Sequence, residues 1–331
     1  MNRHADPVTP VSTGRLPSSA MVEDAVASAH RAFSDDRDGE NIQIYPALAA
    51  MPPDLFGVAV VGVNGRIHAA GDADHAFAIM SVSKPFVFAL LSDAIGSAAA
   101  RAEIGVNATG LPFNALAAIE NGPEGRTNPM VNAGAIATTS HVPGDDVEAK
   151  WRFIRAGLER FAGRELAIDD AVYRSASLTN TRNKAIGHLL ATFGRLGSDP
   201  VTAVELYTRQ CSLQVTARDL AAMGATLADG GVHPLTGATV VSSSGSRDAL
   251  AVMATSGLYE TSGEWLFDVG LPGKSGIGGG IVTVAPGKGG LGTFGPRLDS
   301  AGNSVKGQLA ARFLAERLGL NLFASTPFAG G

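Results

Sequence analysis

The sequence predicts a mixed α/β (α+β) fold, with an antiparallel sheet assembled from both chain ends, flanking terminal helices, and an all-helical lobe between. Three observations predict it. Strand-like apolar runs lie near the two ends of the chain, the long middle has helical spacing, and the βαβ alternation of a doubly wound fold is missing.

Residues 1–18 carry Pro, Ser and Thr without periodicity and read as a flexible extension. Helical spacing starts with Met21, Val22, Ala25, Val26 and Ala29. The apolar run Leu55 to Val63 is a strand, and Asn64-Gly65 before Arg66 to Ala70 is a hairpin signal. From Ser81 to Arg247 the apolar spacing is helical, as in Phe88, Leu91, Ile95 and again in Leu220, Met223, Leu227. Strand-like pieces return at Lys274 to Gly276, Ile281 to Ala285 and Gly290 to Phe294. A closing helix opens at Asn303 or Ser304 and runs through Leu309, Phe313, Leu314 and Leu318. The expected division is a single domain over 19–325, with a sheet lobe from 19–80 and 248–325 and a helical lobe from 81–247. Residues 326–331 form a tail.

Composition narrows the function. Of 331 residues, 45% are hydrophobic and 17% charged, which suits a folded enzyme and not a disordered chain. Twenty-six Lys+Arg against 31 Asp+Glu leave −5, so neither nucleic acid nor an anionic membrane is an expected partner. The single Cys211 excludes a disulfide framework and a Cys-rich zinc site. The polar, proline-broken amino terminus lacks an apolar signal core, and a cytoplasmic location follows as the expectation. Seven histidines show no ligand spacing, so no metal is expected. Glycine is the skewed residue, with 41 copies in the chain and a cluster of them between Gly276 and Gly292; such a stretch either flexes or lets backbones approach closely.

Chemistry first shows in Ser81-Val82-Ser83-Lys84, where an apolar strand gives way to a helix. Ser81 falls at the helix N-terminus, where free N–H groups favour an anion, and Lys84 shares its face one turn on. A serine nucleophile whose proton passes to a lysine amine needs that geometry, although a capping serine beside a solvated lysine has the same spacing. The second piece is Lys274-Ser275-Gly276-Ile277, between strands. A Ser-x-x-Lys early and a Lys-Ser-Gly strand late is the order found in acyl-serine enzymes, where that strand lends one N–H to an oxyanion hole. Ser242-Ser243-Ser244-Gly245-Ser246 reads as a surface loop.

The sequence resembles the serine-dependent glutaminases of β-lactamase/penicillin-binding-like fold from about Tyr45 to Phe323. The resemblance is carried by Phe77-Ala78-Ile79-Met80-Ser81-Val82-Ser83-Lys84, by Asn128-Pro129-Met130-Val131-Asn132-Ala133-Gly134, and by Leu206-Tyr207-Thr208-Arg209-Gln210-Cys211-Ser212-Leu213. Gly257-Leu258-Tyr259-Glu260, Val269 to Gly280 and Leu298-Asp299 through Val305 continue it. It implies Ser81 as nucleophile, Lys84 as its proton-transfer partner and Tyr259 as the tyrosine that helps shuttle the proton. It further implies Asn132, Asn183 and Tyr207 as substrate-holding residues, Tyr45 as an aromatic at the pocket mouth, and the N–H groups of Ser81 and Ile277 as the oxyanion hole. Lys274 is the expected electrostatic support, a cationic neighbour that helps keep Lys84 neutral.

Two positions depart from the family pattern. Met80 stands where the family has glutamine, and Ala176 stands where it has the glutamate that pairs with the substrate α-ammonium. The expected function is hydrolysis of L-glutamine to L-glutamate and ammonia through a Ser81 acyl-enzyme, with no cofactor. The small-molecule substrate is the expected partner, together with homodimer or homotetramer assembly by resemblance. Two rivals are an acyl-serine amidohydrolase acting on a different amide and a catalytically silent binding subunit.

Overall fold

The computed structural model describes residues 14–325. Most of the expected extension, and the tail 326–331, lie outside the described residues. Within the part described, Leu16 is half-buried and packs against the terminal-helix core, so the free extension does not reach residue 18.

Five antiparallel strands form the main sheet: β1 (Gly57–Gly62), β2 (Ile67–Gly71), β5 (Gly273–Ser275), β6 (Gly280–Ala285) and β7 (Gly289–Phe294). Their order is β2-β1-β7-β6-β5. The β1–β7 pairing, with Gly57 opposite Phe294 and Val61 opposite Gly290, joins the two chain ends at the middle of the sheet. Asn64-Gly65 turns the β1–β2 hairpin, and Gly65 takes the positive φ (+77°) that such a turn needs. Two short strands, β3 (Phe77–Ala78) and β4 (Gln214–Val215), pair separately at the border of the lobes.

β1 is buried along its whole length because both sheet faces are covered. Alternation sends Val58 and Val60 to one side, against α1 (Ser19–Phe33) and the last helix, Val305–Arg317. There Val22, Ala25, Val26 and Ala29 meet Ala310, Ala311 and Leu314, whereas Met21 stays exposed. Ser18 and Ser304 cap these two helices with their side chains; the second is one of the two openings the sequence offers, and the first falls in the expected extension. Ala59 and Val61 face the other side, against the helix Ala217–Ala228.

Two expectations change here. Helix Ala217–Ala228 was expected inside the helical lobe, but it lies flat on the sheet. Its small residues and the strand glycines permit this: a Cβ at Gly292 would stand 2.0 Å from the Ala217 carbonyl oxygen, and one at Gly290 2.3 Å from that of Ala221. The glycine-rich segment therefore serves close approach. With β4 also inside 81–247, the lobe is mainly and not wholly helical. Second, Ser242 to Ser246 is no surface loop. It opens the helix Ser243–Ser256, with the Ser242 hydroxyl accepting the Gly245 N–H, the role serine fills at an N-cap.

Most of the remaining middle is helical, its longer helices being α2 (Lys84–Ile95), α3 (Asn132–His141), α4 (Val147–Ala162), α5 (Asp170–Thr179), α6 (Thr181–Thr192) and α7 (Pro200–Cys211). No helix among the described residues is long and apolar enough to cross a membrane.

Candidate active site

The chain leaves β3 into a single 3₁₀ turn, Met80–Ser83, and continues as α2, whose first turn holds Pro85. Proline there needs no N–H and fixes the φ that a helix start requires. Ser81 thus stands at the amino end of α2, and it is 7% exposed. Met80, just before it, has φ +47°, a left-handed conformation that costs a non-glycine residue about 1–3 kcal/mol.

Lys84 is 1% exposed, which removes the reading of a solvated lysine. Its Nζ donates to the Met130 carbonyl (3.0 Å) and to Asn132 Oδ1 (2.8 Å). Burial drives its pKa down to about 7, with the nearby Cys211 opposing the shift. At about 1.4 kcal/mol per pH unit, that lowering from 10.5 corresponds to roughly 5 kcal/mol against the ammonium form. The amine is therefore available as a base near neutral pH.

Asn132, first residue of α3, spends its side chain inside this network. Its Oδ1 receives Lys84 and the Tyr207 hydroxyl (3.3 Å), while its Nδ2 donates to Asn183 Oδ1 (2.8 Å). The three sequence-expected substrate residues, from α3, α6 and α7, thus converge on one hydrogen-bonded cluster beside the lysine.

Across the site, the chain after β5 passes close to the nucleophile turn. A Cβ at Gly276 would lie 3.2 Å from the Ser81 nitrogen, and one at Gly278 2.5 Å from the Ala78 carbonyl oxygen. The N–H groups of Ser81 and Ile277 have no backbone acceptor among the described residues. Tyr259, at φ +57°, is also left-handed, and its hydroxyl donates to the Ser275 carbonyl at 3.3 Å. Burial raises its pKa to about 12, and the nearby Ser81 hydroxyl works against that rise. Tyr207 is likewise pushed up by burial and likewise contacts Ser81. Both hydroxyls are therefore protonated partners of the serine at neutral pH.

Lys274 is fully buried. Its Nζ donates to the Gly257 (2.7 Å) and Ser275 (2.6 Å) carbonyls and sits 4.2 Å from the Tyr259 ring centre. Burial first, then the Lys84 charge, lower its pKa well below that of an ordinary lysine. Burial is the main cause of the lowering at Lys84, the two lysines disfavour each other's charge, and Lys274 also packs against Tyr259.

Ser81, Asn132, Asn183, Tyr207 and Ile277 line a cavity of about 90 Å³, and the half-buried Tyr45 lines it too. Ala176, on α5, lines it too, and so does Met80. The one charged side chain among the lining residues is Arg182; no Asp or Glu is present there. Sequence reasoning missed Phe113, Asn114 and Cys211 on this wall. The Phe113 ring lies 4.6 Å from that of Tyr259, tilted by 40°, and no motif marks it; Cys211 lies four residues after Tyr207, and a lone cysteine carries no signal of its own. Among the described residues no group of three or more His, Cys, Asp or Glu converges as a metal site. A buried hydroxyl one turn before a buried amine of lowered pKa, with two nearby N–H groups that lack a backbone acceptor, suits attack on a carbonyl carbon.

Residues 39–323 match the family described as Glutaminase. Glutaminase 2 of Yersinia pestis is 63% identical over 318 residues, covering 96% of this chain and 94% of that protein. The glutaminase of Colwellia psychrerythraea is 45% identical over 309 residues, covering 93% and 99%. A solved structure described as probable glutaminase ybaS superposes with a TM-score of 0.92 at 42% identity, covering 93% of this chain and all of the other. The crystal structure of Mglu in its glutamate form superposes with a TM-score of 0.87 at 38% identity, covering 92% and 70%.

Proposed function

The chain belongs to the glutaminase family and is a glutamine amidohydrolase; from that premise we propose that it works through an acyl-enzyme on Ser81. Its fold is β-lactamase-like, as in its structural neighbours. The observation that carries the mechanism is the buried Lys84 amine, brought to about pH 7 one turn beyond a buried serine.

Neutral Lys84 takes the Ser81 proton as Oγ bonds to the side-chain amide carbon. The carbonyl oxygen, now negative, is held by the Ser81 and Ile277 N–H groups. Tyr259, in contact with Ser81, relays the proton to the leaving nitrogen, the C–N bond breaks, and ammonia departs. Water then attacks the ester and releases L-glutamate, restoring Ser81. Asn132, Asn183 and Tyr207 hold the substrate and orient Lys84, with Tyr45 at the mouth. Lys274 acts as support by fixing the Tyr259 ring. No step calls for a cofactor. We place the enzyme in the cytoplasm, in keeping with its single unpaired Cys211, and assign it a homodimeric or homotetrameric state, which light scattering reads directly.

Ammonia release from glutamine, asparagine and glutaramate tests the reading. Wild type releases ammonia from glutamine, and Ser81→Ala falls at least ~10³-fold while remaining folded. Activity retained in Ser81→Ala contradicts the acyl-serine route. A second reading, the same chemistry on a different amide, is favoured by one observation: the cavity wall at Ala176 offers no carboxylate to a substrate ammonium. A silent binding subunit finds no such support, because Ser81 lines the cavity and Lys84 and Tyr259 are present and buried behind it.

A further inference from the structure

The nucleophile turn is held by a buried polar chain that plays no part in the chemistry above. Ser83 Oγ donates to the Met80 carbonyl (2.7 Å), Gln210 Nε2 donates to Ser83 Oγ (2.9 Å), and Thr139 Oγ1 donates to Gln210 Oε1 (2.9 Å). Ser83 and Thr139 are completely buried and Gln210 is 1% exposed. Burying an amide and two hydroxyls carries a desolvation cost that apolar residues of similar volume avoid, so a packing role alone does not account for them. What the polar chain adds is direction. The Met80 carbonyl and the Ser81 N–H are two ends of one peptide plane. A hydrogen bond that fixes the first therefore aims the second, and Met80 is the residue held at φ +47°. The other end of the chain reaches α3 at Thr139, seven residues after Asn132, and Gln210 stands three residues after Tyr207 on α7.

We propose that Gln210 is a positioning residue for acyl transfer: bridging Thr139 and Ser83, it locks the Met80–Ser81 peptide so that the Ser81 N–H points at the developing oxyanion. This rests on the acyl-serine reading. Because the oxyanion contact strengthens only in the transition state, its loss falls on kcat and spares KM. Lys84 is not part of the chain, so the pH at which activity is half-lost stays where it is.

The test is steady-state kinetics on Gln210→Met, Thr139→Val and Thr139→Ser, with melting temperatures and pH profiles, and Ser81→Ala in parallel. Gln210→Met keeps the side-chain length and is expected to lower kcat ~10–50-fold with KM within threefold and an unmoved acid limb. Thr139→Val is expected to lower kcat ~3–10-fold, and Thr139→Ser, which keeps the hydroxyl, to return it to within twofold. A Gln210→Met enzyme with wild-type kcat, whatever its melting temperature, overturns the proposal. If that variant does not fold, equal kcat in the two Thr139 variants overturns it. An active Ser81→Ala enzyme instead overturns the acyl-serine reading itself, and an inactive one leaves the Gln210 result to stand alone.

Discussion

Lys84 sets the pH behaviour expected of the enzyme. Its folded pKa, about 7, lies below the ordinary lysine value, and only the neutral amine accepts the serine proton. kcat/KM should therefore be fully developed above pH 8 and fall tenfold per unit below about pH 6.5. A profile flat from pH 5 to 8 would remove Lys84 as the base. Ala176 sets a second expectation. A substrate ammonium beside it meets no counter-charge, so glutamine should bind weakly, with KM raised more than kcat is lowered. Ala176→Glu should tighten glutamine by roughly 2–4 kcal/mol if the new pair is well desolvated, and should weaken glutaramate, which lacks the ammonium. Wild type with a micromolar KM, weakened by Ala176→Glu, would mean that another group holds the ammonium. Ser81, Lys84 and Lys274 were legible because short motifs carry them. The Ser83–Gln210 bond was not, since it spans 127 residues and exists only once α2 and α7 have packed. Nor did the sequence show that Asn132 serves Lys84, because a side chain's partners depend on the whole lobe around it.

Among the elements, the hairpin and the C-terminal strands were readable from apolar runs and turn chemistry, α1 from its period, and the last helix from period and cap. The helix Ala217–Ala228 shows what period alone leaves out. Its apolar face was plain, but which surface it would cover was decided by small residues on both partners, at Gly290 and Gly292 on β7 and at Ala217 and Ala221 on the helix. The same serine-rich string that reads as a loop becomes a helix start because Ser242 finds an N–H to accept. These contacts give a stability test. Gly292→Ala places a methyl group against the Ala217 carbonyl and should cost about 3 kcal/mol or more in urea unfolding. Gly263→Ala, in a helix where nothing lies within 4 Å, should be neutral or stabilising by up to ~1 kcal/mol. Equal midpoints for the two variants would show that the helix does not seat so closely.

At the scale of the molecule, the groups proposed for catalysis come from distant parts of the chain. Ser81 and Lys84 follow the amino-terminal strands, Asn132, Asn183 and Tyr207 come from the helical lobe, and Tyr259, Lys274 and Ile277 come from the carboxy-terminal return. The β1–β7 pairing, by closing the sheet between the chain ends, brings Ser81 of the first set and Ile277 of the last to one cavity. That closure was foreseeable from strands at both ends, while the lobe's contribution was legible only through the resemblance. The central claim is that Ser81 is the nucleophile of this cavity, and a second nucleophile, the Cys211 thiol, lines the same wall. Burial keeps that thiol protonated, with a pKa near 11, so it should not compete. The most direct measurement is intact-protein mass and peptide mapping after exposure to a diazoketone analogue of glutamine, with and without glutamine as protectant. The account predicts one adduct per chain, on Ser81, formed in step with loss of activity and slowed by glutamine. An adduct on Cys211, or an unchanged mass with turnover intact, would contradict it.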